Sequence, residues 1–63
     1  MKVKEVVKRL EEDGWYQLRQ ESSHRNFRKE DNPNVVTVPG QDRDDVSPGV
    51  LSDICRKTGL TLR

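Results

Sequence analysis

Two amphipathic helices at opposite ends of a short chain can bury their apolar stripes only on whatever lies between them, and that constraint decides the fold class. Val3, Val6, Val7 and Leu10 recur at i, i+3, i+4 and i+7, with Lys4, Glu5, Lys8, Arg9, Glu11 and Glu12 on the other side. Gly14 after Asp13 supplies a left-handed stop, and Trp15 is placed to fold back on the last turn. Toward the other end, Ser47-Pro48 reads as a helix N-cap followed by proline at the first helical position. Leu51, Ile54, Cys55 and Thr58 then share a face flanked by Val50, and Gly59-Leu60 repeats the glycine-plus-hydrophobe stop.

The segment between them carries strand signals. Trp15 to Gln20 mixes aromatic, apolar and polar residues without helical spacing, and Glu21-Ser22-Ser23 is turn-like. His24 to Lys29 alternates, so that Phe27 points into a core with Arg25 and Lys29 on its side, while His24, Asn26 and Arg28 share the opposite, wetter side. Glu30 to Asn34 reads as a polar turn. Val35-Val36-Thr37-Val38 is the strongest strand signal and is stopped by Pro39-Gly40. Gln41 to Val46 is an acidic loop without structural period, six residues that could swing. The expected fold is α+β: an αβββα domain spanning residues 1–63, with a three-stranded antiparallel meander, both helices on one sheet face and the other face open.

Sixty-three residues bury only one small core, because a chain of this size hides roughly 60% of the surface its unfolded form exposes. A deep, dry enzyme cavity is therefore not expected. No apolar run approaches the ~18 residues that span a bilayer, and the N-terminal residues lack a signal-peptide core, which gives the expectation of a cytosolic protein with no membrane role. The single cysteine, Cys55, cannot form an internal disulfide, and one histidine with one cysteine falls short of a closed zinc site. Neither a metal nor another cofactor is expected, and Cys55 reads as a small core residue.

The net charge of +1 is distributed unevenly: eight basic against five acidic residues up to Lys29, four against six beyond it. From Trp15 to Lys29 the balance is four to one, which suits phosphate. Within that basic stretch lies the only histidine, His24. An imidazole beside phosphate has a definite use in RNA cleavage. The ribose 2′-hydroxyl must lose a proton, the phosphorane charge must be held, and the leaving 5′-oxygen must gain a proton. Histidine titrates near working pH and supplies either proton step, worth ~10²–10⁴ in rate; arginines hold the charge. The substrate brings its own nucleophile, so a shallow site suffices. A lone histidine on a small sheet is also commonly solvated or structural, the serines before it are ordinary turn formers, and Asn26 either orients the ring or is solvated, with solvation the favoured reading; spacing alone does not choose.

Taken together, the motifs resemble the HicA toxins of bacterial type II toxin–antitoxin systems, also called YcfA-like proteins. The similarity runs through Lys2-Val3-Lys4-Glu5-Val6-Val7-Lys8, Asp13-Gly14-Trp15, Arg19 and Ser23-His24-Arg25-Asn26-Phe27. It continues through Val36-Thr37-Val38-Pro39, Ser47-Pro48-Gly49-Val50-Leu51 and Ile54 to Leu60. The resemblance implies a fold similar to double-stranded-RNA-binding domains and a ribosome-independent mRNA interferase, monomeric when free and held inactive by a HicB antitoxin. His24 matches the family's catalytic histidine, and Arg19, Ser23, Arg25, Arg28 and Lys29 are the candidate RNA-binding residues around it. Ser22 stands where the family usually has glycine; if that position needs positive φ, serine costs about 1 kcal/mol there.

Two other readings compete. A non-catalytic RNA-binding module of the same fold would grip phosphates with a lysine-rich start to its last helix, but here that start is Ser47-Pro48-Gly49-Val50-Leu51-Ser52-Asp53, with no positive charge before Arg56. A purely structural partner of another protein would make His24 incidental.

Overall fold

The computed structural model describes residues 1–21 and 24–62, with side chains throughout these except at residues 19–21. The elements follow in the order α1 (Val3–Glu12), β1 (Tyr16–Glu21), β2 (His24–Lys29), β3 (Asn32–Val38) and α2 (Pro48–Thr58). The sheet order is β1-β2-β3, both pairs antiparallel, as the meander reading required.

The two helices share one sheet face. Phe27, Val36 and Val38 from the sheet, Val3, Val6 and Leu10 from α1 and Ile54 from α2 are fully or almost fully buried in one cluster, closed by Trp15, Val46 and Leu62. Leu51 and Cys55 are half-buried against it. Val46 and Leu62 were not anticipated as core residues, because neither sits in a periodic segment.

The helix ends obey their local chemistry. Gly14 takes φ 98°, Trp15 N–H donates to the Leu10 carbonyl at 2.9 Å, and the indole folds back into the core with its Nε1 donating to Asp13 Oδ2 at 3.2 Å. Ser47 Oγ accepts from Val50 N–H at 3.4 Å, Pro48 opens α2, and Gly59 closes it at φ 77° with its N–H on the Cys55 carbonyl.

Two expectations are corrected. The turn after β2 is Glu30-Asp31 rather than Glu30 to Asn34: Asp31 adopts φ 67° and Lys29 already pairs with Asn32. The asparagines that looked like turn residues instead brace α2, since the side-chain amides of Asn32 and Asn34 donate to the Lys57 carbonyl at its C-terminal end, at 3.4 and 3.1 Å. Pro33 is tolerated because β3 is an edge strand.

The acidic loop is the second correction. It does not swing free. Val3 N–H donates to the Asp44 carbonyl at 2.9 Å and Lys4 N–H to that of Asp42 at 3.1 Å, while Val46 N–H returns to the Met1 carbonyl at 2.9 Å. The first amides of a helix have no partner within it, and the loop's carbonyls supply one. The Glu5 carboxylate accepts a further N–H, that of Lys2, at 3.3 Å.

Phe27 is the only aromatic residue that the sheet turns into this core, so Phe27→Ala is expected to cost about 3–5 kcal/mol. That is comparable with the whole stability of a domain this small, at about 0.05–0.15 kcal/mol per residue. Circular dichroism of Phe27→Ala should show loss of cooperative melting; a native-like melt would mean that the core does not rest on this ring.

Candidate functional site

The parity of β2 sorts its side chains. With Phe27 buried, Arg25 and Lys29 emerge at the margins of the core side, and His24, Asn26 and Arg28 lie on the face that neither helix covers. Registers extend this open face into rows. Tyr16 of β1 is the partner of Arg28, and exposed Val35 of β3 lies on the same face because Val36 beside it is buried. In the next row Asn26 pairs with Thr37, and Thr37 Oγ1 donates to Asn26 Oδ1 at 2.7 Å. Asn26 is therefore half-buried and bonded across the strands, not simply solvated. At the far end His24 is exposed, and its backbone partner is Glu21. The β1–β2 pairing slips between Gln17 and Gln20, so the strand bulges beside the middle row.

The basic residues divide into two groups. Arg25 Nη2 lies 2.7 Å from Asp42 Oδ1, and Lys29 Nζ lies 3.2 Å from Asp13 Oδ2, the carboxylate that also accepts from Trp15. Both cations are thus engaged by the protein's own acids and stand apart from His24. Arg28 is exposed on the same face as His24 and makes no ion pair with any described residue. The side chain of Arg19, and Ser22 and Ser23 altogether, lie outside the described residues. The Asn26–Thr37 bond, the Tyr16–Arg28 register and the Asp42 partner of Arg25 escaped sequence reasoning; only the polar Thr37 between Val36 and Val38 hints at the open face.

On α2, Arg56 and Lys57 both pair with Asp53. The hydrogen bond from Lys57 holds the Asp53 carboxyl below its usual range against an opposing effect of desolvation, with the charges of Lys57 and Arg56 adding to the lowering. The last helix therefore spends its cations on itself rather than presenting them as a phosphate grip. Among the described residues no three His, Cys, Asp or Glu side chains are grouped to hold a metal ion, and no helix is long and apolar enough to cross a membrane.

The family model described as HicA toxin of bacterial toxin–antitoxin matches residues 3–60. The chain belongs to the HicA toxin family. A solved structure titled as the HicA3 and HicB3 toxin–antitoxin complex contains a chain 31% identical to this one, with full coverage of both chains and a TM-score of 0.82. No curated protein matches the chain. The HicA family thus accounts for the order of elements and for the toxin class, and the positions quoted for the resemblance fall within the matched span from Val3 onward.

Removing the His24 ring should open no cavity. His24→Ala is expected to shift stability by no more than about 0.5 kcal/mol. Asn26→Ala, which breaks the bond from Thr37, should cost about 0.5–1 kcal/mol. Thermal unfolding of the two variants checks the order; a His24→Ala protein that loses several kcal/mol would make the ring structural.

Proposed function

We propose that this HicA-family toxin is an endoribonuclease that cleaves mRNA independently of the ribosome, with His24 as general acid or base. The observation that supports it most is that the single histidine stands exposed at one end of the uncovered sheet face, which it shares with an arginine that pairs with no described carboxylate. His24 takes the proton of the ribose 2′-hydroxyl or gives one to the leaving 5′-oxygen. Attack of the 2′-oxygen on phosphorus and departure of the 5′-oxygen break the chain, so the nucleophile comes from the substrate. Arg28, together with Arg19 and Ser23, holds the phosphates. Arg25 and Lys29 join only by exchanging Asp42 and Asp13 for phosphate oxygens. The non-catalytic module is disfavoured because Arg56 and Lys57 are committed to Asp53.

His24→Ala should abolish RNA cleavage and growth inhibition while the protein stays folded and still binds RNA. Loss of a general acid or base at ~10²–10⁴ in rate is well separated from the small stability change. Cleavage at the parental rate by a folded His24→Ala protein would sink the mechanism.

The partner on this reading is a HicB-like antitoxin, supported by the similarity to a chain solved in a HicA3 and HicB3 complex. The direct route to inhibition is to lay acidic and apolar surface over the open face and bury His24. Adding a cognate antitoxin should slow hydrogen exchange of the β2 amides; unchanged exchange there would put the inhibitory contact elsewhere.

A further inference from the structure

The large apolar side chains that the described residues leave exposed are Tyr16, Leu18 and Val35, at 50%, 42% and 40% of their surface. Tyr16 and Val35 lie on the open face, and Leu18 falls in the β1 bulge between Gln17 and Gln20, so the described residues leave apolar area in water on and beside this face. Tyr16 is the aromatic among them, and its cross-strand partner is Arg28, which makes no ion pair with any described carboxylate. Partners across an antiparallel pair stand about 5 Å apart at Cβ, so the two side chains leave the sheet from neighbouring positions. Arg28 is four residues from His24 on the same strand face, about 13 Å at the usual rise.

We infer that Tyr16 and Arg28 form a nucleotide subsite: Tyr16 stacks an unpaired base flanking the scissile bond, and Arg28 holds the adjoining phosphate. The subsite rests on the ribonuclease reading above and adds the contact that selects unpaired RNA. A base and its phosphate satisfy both members of the pair at once, since the ring needs a flat apolar surface and the guanidinium an anion. A single-stranded chain offers those two groups in each residue, whereas bases stacked within a helix cannot be splayed onto a side chain. The Asn26–Thr37 bond closes the middle row on itself, leaving the His24 end for the scissile phosphate and the Tyr16 end for the flanking base. An apolar protein segment over Tyr16 would have to bring a carboxylate for Arg28 as well, or bury that charge unpaired.

The experiment uses an unpaired RNA oligonucleotide spanning a cleavage site mapped with the wild-type protein. Tyr16→Ala should raise KM about 5- to 150-fold, the range to which the ~1–3 kcal/mol of base stacking on an aromatic converts, with kcat changed far less. Tyr16→Phe should stay near wild type, because the ring stacks and the hydroxyl does not. An abasic residue at one flanking position should reproduce the loss in the wild type and add little to Tyr16→Ala. A wild-type protein that cuts RNA while Tyr16→Ala keeps the parental KM removes the subsite alone. So does a Tyr16→Ala defect confined to binding of a HicB-like antitoxin, which would make the ring a protein contact. A wild type that cuts no RNA removes the ribonuclease reading and the subsite together.

Discussion

Phe27 packing between the sheet and the two helices is the interaction on which the other features depend. With apolar residues only 30% of the chain, this one ring sets which side of β2 is the inside. Strand parity then leaves no freedom for its neighbours: His24, Asn26 and Arg28 must face outward, and Arg25 and Lys29 must emerge where the core meets solvent. The same residue that closes the core therefore aims the candidate site.

Around that centre the polar groups do much of the positioning. The loop from Gln41 to Asp45 is acidic in its side chains, yet its main contribution is two backbone carbonyls on the first amides of α1. Asp42 adds a side-chain contact to Arg25, so the loop ties the first helix to the strand that carries His24. Asp13 does the same between the end of α1, Trp15 and Lys29. The two ends of β2 are thus each fixed by an acid that lies elsewhere in the sequence.

Where a residue's environment is decided within a few positions along the chain, the sequence was legible. The stops at Gly14 and Gly59, the Ser47 cap and the bounds of β2 follow from local chemistry, and the structure has them where they were expected. Contacts between distant segments were not legible. Asn32 and Asn34 resemble turn residues until α2 places the Lys57 carbonyl beside them. Asn26 resembles a solvated residue until the register brings Thr37 opposite. Val46 and Leu62 belong to no periodic pattern, and backbone acceptors such as those of Asp42 and Asp44 leave no mark in the side-chain sequence. For the candidate site, the face of His24 could be read from parity, whereas its neighbours across the sheet required the registers. The position of Arg19's side chain and of Ser22 and Ser23 lies outside the described residues.

The ion pairs that hold Arg25 and Lys29 also shape how the molecule meets a polyanion in solution. A cation neutralised by its own carboxylate projects little field beyond a Debye length, and the whole chain carries only +1. Long-range capture is therefore weak, and encounter falls toward the unsteered range of about 10⁵–10⁶ M⁻¹s⁻¹ rather than the rates reached by strongly charged partners. If the open face takes RNA as proposed, selectivity is exercised after collision, during the time a strand rests there, and long chains that can rebind before diffusing away hold an advantage over short ones.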